Sequence, residues 1–361
     1  MDKEKLINKV CNELVHGKNI DFTFEINGIP YSIKFLSPNN DLHISIPSII
    51  AVPLTQKFNN QLIVEANNME SDNLDVVLQQ GIQTGIRLAH ITDNLPCTIV
   101  VPLIPSYRDK PYFQQLSKEC FELDKEDRNY RIDEQIVRII QQAKMFSEET
   151  KGLPYQSKIF LNGYSSSGVF AQRFSLLHPE LIDTACIGGA SGSIPVPSPE
   201  IGYPIGIEDY EEITGRKFDM DSYSSIKFRY YVGELETKNT IDTRLTDDGS
   251  PAPMHDMSYF NRSVPVEIGK KQRTIFGQEM FERASKTIQL LNLLGIDIEH
   301  TIFEGRTHNN RSGHGVNELG DKFINEVYRE SVIIKENFYL TREFRYLFRY
   351  PEGGMSRDVG G

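Results

Sequence analysis

KIFLNGYSSSGVFAQRFSLL, residues 158 to 177, holds the turn on which the fold rests. Its first half is a short apolar run of strand type, and VFAQRFSLL reads as a helix. Between them lie Gly163, Tyr164 and three serines. A chain that passes from strand to helix this abruptly brings the two elements close together, so the positions flanking the turn must be small. In a G-x-S-x-G turn the serine sits on strained backbone, which lifts its hydroxyl above the sheet edge. The register Gly163-Tyr164-Ser165-Ser166-Ser167 makes Ser165 that residue, with Ser167 in place of the second glycine. The next register would make Ser166 the nucleophile and put Tyr164 where bulk is not tolerated. A competing reading treats the serines as a helix N-cap without chemistry, since serine is among the best capping residues.

The surrounding chain alternates strands with helices. CTIVVPLI, from residue 97, is a continuous apolar run of the kind buried on both faces of a parallel sheet. RIDEQIVRIIQQAKMF then places Ile132, Ile136, Ile139, Ile140 and Ala143 on one side of an amphipathic helix. Downstream, TACIGGA, FRYYVG and IEHTIFEG read as strands, and VNELGDKFINEVY as the helix after the last of them. This rhythm predicts an α/β fold with a mostly parallel central sheet flanked by helices. Near the N-terminus, FTFEINGIPYSIKFL alternates around Asn-Gly and predicts an antiparallel β-hairpin. The expected organisation is a helix and hairpin extension over residues 1–60, a main domain over 61–335, and a partly disordered tail over 336–361. Insertions at 193–225 and 237–277 are expected to form a cap. Their aromatic residues, Tyr203, Tyr210, Phe218, Tyr223 and Tyr259, either line a pocket or form the core of the cap itself.

With 50 acidic against 39 basic residues and a formal net charge of -11, the surface repels phosphate backbones and anionic headgroups. Nucleic acid and membrane are therefore excluded as expected partners. No window is apolar enough to span a bilayer, and MDKEKLINKVCNELVHG lacks the apolar core of a signal peptide. The four cysteines, Cys11, Cys97, Cys120 and Cys186, show no CxxC spacing and read as reduced thiols of a cytoplasmic protein.

A serine nucleophile needs a base, and the base an orienting acid; in hydrolases with this turn they follow in the order Ser, acid, His. GELETKN, after FRYYVG, offers Glu234 at the strand end and Glu236 further into the loop. GRTHNNRSGHG offers His308 and His314 as bases, His308 being nearer its strand. His178, before Pro179 at a helix end, suits a dipole partner better than a catalyst. Metal ligation by His255, Asp256, His308 and His314 matches no ordinary ligand spacing. An oxyanion hole would use the N–H of Ser166 and a second one from VVPLIPSYRD. Pro105 has no N–H, which leaves Ile104 or Ser106.

These residues resemble the α/β-hydrolase branch of polyhydroxybutyrate depolymerase-like and feruloyl-esterase-like proteins. The resemblance rests on TIVVPLIPSY, RIDEQIVRII, LNGYSSSGVFAQRFSLLHPELIDTACIGGASG, YPIGIEDYEEITG, YYVGELETKN and FEGRTH, and covers roughly residues 95 to 330. It implies Ser165 as nucleophile, since GYSSSG is similar to the GxSxSG form of the turn. FEGRTH resembles the segment that carries the base, which implies His308 rather than His314. YYVGELETKN resembles a segment with Asp where this sequence has Glu236; glutamate reaches one methylene further, and triads with Glu occur in this fold. The expectation is a serine hydrolase acting on a small-molecule or polymer ester, without cofactor or metal. Two alternatives stand beside it: an amidase or acyltransferase using the same triad, and a non-catalytic binding protein on a hydrolase scaffold. The sequence does not indicate an oligomeric state.

Overall fold

The N-terminal hairpin forms as read. β1 (Ile20–Ile26) and β2 (Ile29–Leu36) pair antiparallel across Asn27 and Gly28, whose φ values of 51° and 74° are the left-handed pair that a two-residue turn demands. The computed structural model describes residues 19–55, 61–68, 71–106, 112–152, 158–190, 194–234, 264–277, 280–306 and 319–332. Following the hairpin come β3 (Ser48–Pro53), β4 (Leu62–Val64), α1 (Leu74–Ile91), β5 (Thr98–Pro102), α2 (Ile132–Lys151), β6 (Ile159–Tyr164), α3 (Ser166–Leu177) and β7 (Ile182–Gly188). The sheet is completed by β8 (Lys227–Gly233) and β9 (Ile298–Phe303).

The nine described strands form one sheet in the order β1-β2-β3-β5-β4-β6-β7-β8-β9. The first three pair antiparallel, β3 also antiparallel to β5, and every ladder from β5 to β9 is parallel. Alternation along the strands builds two cores. Ile50, Val100, Leu161 and Ile187 face one side with residues of α2 and α3. Ile49, Val101, Phe160 and Cys186 face the other, with residues of α1 and of a helix over 319–332. A mostly parallel sheet covered on both faces, with antiparallel N-terminal strands and a serine turn from strand to helix, is the α/β-hydrolase fold.

Strand order also locates a crevice. From β4 the chain passes through α1 to β5 on one side, whereas from β6 it passes through α3 to β7 on the other. Because β4 and β6 are neighbours, the loops leaving their carboxyl ends diverge, and such switch points are where open α/β sheets place their sites.

The segment 194–225 carries α4 (Tyr210–Thr214) and α5 (Met220–Ser224) and packs against α3 and the stretch 112–121. Tyr203, Tyr210 and Tyr223 are buried in the main core: Tyr203 donates its hydroxyl to Leu116 O, and Tyr210 to Leu177 O at 2.9 Å. These rings therefore belong to the main core rather than to a core of the cap's own. Most of the second insertion and Tyr259 lie outside the described residues, as do residues 1–18 and the tail 336–361. Two further helices, α6 (Val266–Phe276) and α7 (Met280–Leu293), lead to β9, and α8 spans 319–332. No described helix is long and apolar enough to cross a membrane.

Candidate active site

Among the three serines, Ser165 alone has a positive φ, at 57° with ψ -115°. An N-cap residue normally has extended backbone and accepts from the second or third helical N–H through its own side chain. Ser165 does neither: it makes no side-chain cap bond, and Asn68 Oδ1, from the loop after β4, accepts from Ser167 N at 3.1 Å. The strained turn is held from several sides. Ser165 N donates to Gly188 O at 2.9 Å, Val169 N to Ser165 O at 3.0 Å, and Ser167 Oγ bonds both N and O of Tyr164 at 2.9 Å.

Gly163 and Gly168 are the small positions. A Cβ on Gly163 would stand 2.2 Å from Ser167 O, and one on Gly168 2.9 Å from Gly188 O. Ser167 at the pattern's second glycine is tolerated because its hydroxyl is spent on Tyr164, while the close approach to β7 falls one residue later. Ser166 opens α3 with its hydroxyl buried among Tyr112 OH (3.1 Å), Gln115 Nε2 (2.9 Å) and Gln114 Oε1 (3.4 Å).

Both N–H groups that the sequence offers as second oxyanion donor are engaged within the protein. Ile104 N donates to Asn67 Oδ1 at 2.7 Å, while Ile104 O accepts from Asn67 Nδ2 at 3.0 Å, and both residues are fully buried. Ser106 N is likewise engaged, with Ser71 O at 3.0 Å. Ile104 and Ser106 follow β5, which is separated from β6 by β4, so the loop beside Ser165 is the one after β4. Asn67 and Asn68 belong to it. β4 and α1 leave little trace in the sequence: LIV is too short to show a period, and Gly81 and Gly85 interrupt the helical pattern of α1.

Glu236, His308, His314, His255 and Asp256 lie outside the described residues. The strands leading to the first three are described. Gly188 pairs with both Tyr164 and Tyr231, and Gly233 with Phe303, so β6, β7, β8 and β9 end side by side. Glu234 N donates to Phe303 O at 3.0 Å and Glu234 Oε2 accepts from Gly305 N at 2.8 Å. That carboxylate ties the exit of β8 to the turn after β9.

His178 ends α3 in a buried ion network away from Ser165. Its Nε2 meets Asp133 Oδ2 at 3.0 Å, and Arg131 grips Asp133 through Nε (2.9 Å) and Nη2 (2.7 Å). Asp133, Glu134 and His178 bring ligand-type atoms within 4.8 Å of one another. Arg131 also reaches Glu134 Oε1 at 3.0 Å, so a guanidinium already supplies the cation there. Burial works against the charge of His178, but the Asp133 and Glu180 carboxylates outweigh it and raise its pKa. The thiols of Cys97 and Cys120 are pushed by burial up to about 12, so neither is a thiolate at neutral pH.

No protein-family model matches the chain, and no curated protein matches it in sequence. Similar solved structures include a thermostable esterase, at 14% identity and TM-score 0.39, over 87% of this chain and 61% of that one. The poly(3-hydroxybutyrate) depolymerase of Bordetella parapertussis is similar at 12% identity and TM-score 0.42, over 88% of this chain and 90% of that one. The S-formylglutathione hydrolase of Agrobacterium tumefaciens is similar at 13% identity and TM-score 0.41, over 86% and 97%. This chain thus spans 61% of the length of the thermostable esterase. Superpositions this loose assign no activity to it.

Proposed function

We propose that the protein is a serine hydrolase cleaving a carboxylic ester through an acyl-enzyme on Ser165. The supporting observation is the division of labour at the start of α3: Asn68 takes the capping role, and Ser165 keeps a strained backbone that a cap does not need. In this reading Ser165 Oγ attacks the ester carbonyl carbon while His308 takes its proton and Glu236 orients the imidazole. The carbonyl electron pair moves onto oxygen, where it is held by the N–H of Ser166 and by an N–H of the loop after β4, at Asn68 or beyond. Collapse expels the alkoxide, which receives the proton from His308. Water, deprotonated by the same histidine, then releases the acid by the same two steps.

A fluorophosphonate probe with mapping of the adduct tests the nucleophile. Labelling is expected at Ser165 alone, with Ser165→Ala abolishing both labelling and turnover of a short-chain chromogenic ester. Adducts on Ser166 or Ser167, or none on folded protein, reject the assignment. Comparing His308→Ala with His314→Ala identifies the base, the first being expected to lose about 1,000-fold or more in kcat.

A further inference from the structure

Arg87, on α1, stands at the centre of contacts that join the two halves of the proposed site. Its Nη2 meets both carboxylate oxygens of Glu65 at 2.5 Å, just after β4, and its Nη1 donates to Asp321 Oδ1 at 3.0 Å on α8. Glu65, whose side chain is 3% exposed, also accepts from Asn162 Nδ2 at 2.6 Å, on the strand that presents Ser165. Asp321 lies on the helix that follows the segment carrying His308 and His314. One guanidinium and one carboxylate therefore connect the nucleophile strand, the loop after β4 and the helix after the base.

The neighbouring packing fixes the same geometry. Tyr231 lies so close to β7 and α8 that a Cβ on Gly188 would fall 2.0 Å from its ring and one on Gly320 2.9 Å from it. Its ring stacks 6.1 Å from that of Tyr164, the residue before Ser165. Gly320 thus seats the start of α8 on the sheet while Arg87 holds its side chain Asp321. Burial opposes the charge of Arg87, but Glu65 and Asp321 outweigh it and raise its pKa, so the tie persists at every pH at which a histidine base works.

We infer that Arg87, with Glu65 and Asp321, is a positioning residue that fixes the loop after β4 and the start of α8 relative to the strand that presents Ser165. The inference rests on the proposed nucleophile. A buried ion pair adds little net stability on average, whereas small displacements of reacting groups are costly in rate. A bidentate guanidinium holds two carboxylates at fixed spacing, which a lysine cannot reproduce.

The test uses the full chain. Asp321 is 38% exposed, so Asp321→Asn cuts the outer tie and leaves Glu65 paired. Its kcat on a chromogenic ester is expected to fall about 10- to 100-fold with KM nearly unchanged, and fluorophosphonate labelling of Ser165 to slow in parallel. The acidic limb of kcat/KM, which reports the base, is expected to shift, while the thermal midpoint moves by no more than about 2 °C. Arg87→Lys is expected to restore the thermal midpoint lost in Arg87→Ala but not kcat. Wild-type kcat, labelling rate and pH profile in Asp321→Asn and Arg87→Lys overturn the inference, whatever their thermal stability. A wild-type protein that is never labelled at Ser165 overturns the nucleophile assignment, and this inference with it.

Discussion

At Ser165 the backbone stands at φ 57° and ψ -115°, a conformation that costs a non-glycine residue about 1–3 kcal/mol. Glycine adopts it without that strain, though it gives up more entropy on folding. Ser165→Gly is therefore expected to raise the stability of the protein by roughly 1 kcal/mol in urea denaturation while abolishing ester turnover. Gly163→Ala should act in the opposite direction. Its methyl group would need the place of Ser167 O, 2.2 Å away, and backbone is not free to yield as a flexible side chain is. A loss of about 1–3 kcal/mol is expected, together with slower labelling of Ser165 as the turn opens. An unchanged urea midpoint in Gly163→Ala would contradict the close approach of β6 and α3.

The junction of α2, α3 and the 194–225 segment is held by charge inside the core. Asp133 and His178 are each 1% exposed, and Arg131 also donates to Thr214 O at 3.3 Å. Burial tends to raise the pKa of Asp133, but Arg131 and His178 hold it well below the usual carboxylate range. His178 is raised above its ordinary 6.5, so the stability it contributes is complete below about pH 6.5 and lost as pH rises through the folded value. Denaturation midpoints of the wild-type protein should decline across that window, and those of His178→Gln should decline less. Asp133 behaves with the opposite sign: its contribution is present above its ordinary 3.8 and lost as pH falls toward its depressed folded value. Asp133→Asn removes the carboxylate that Arg131 and His178 share, leaving them only Glu134 and Glu180, and is expected to cost about 3 kcal/mol at neutral pH. At the other end of α3, Asn68→Ala removes the cap on Ser167 N and should cost about 1 kcal/mol.

For the whole molecule, burial grades across the sheet. β4 and β5 are buried throughout and β6 nearly so, whereas the outer strands β1 and β9 are largely half-buried or exposed. Native-state hydrogen exchange should find the amides of β4, β5 and β6 most protected and those of β1 and β9 opening first. Uniform protection across the nine strands would contradict that gradient. Much of this architecture was legible in the chain because it depends on local pattern. Asn27-Gly28 dictates its own hairpin, the run TIVVP can be buried only as an inner strand, and the bulk of Tyr164 fixes the register that singles out Ser165. The loop beside Ser165 was not legible. Ile104 and Ser106 follow a clear strand, β5, whereas the strand that neighbours β6 is the three-residue β4, which has no period to read. Nor could sequence join Glu65 to Asn162, 97 residues on, or Arg87 to Asp321, 234 residues on. Turn chemistry, amphipathic faces and the identity of the strained serine follow from neighbours within a few bonds, and the sequence by itself determined them. Which N–H groups are taken, which serine is relieved of capping and which charges meet depend on strand order, and only the tertiary structure decided them.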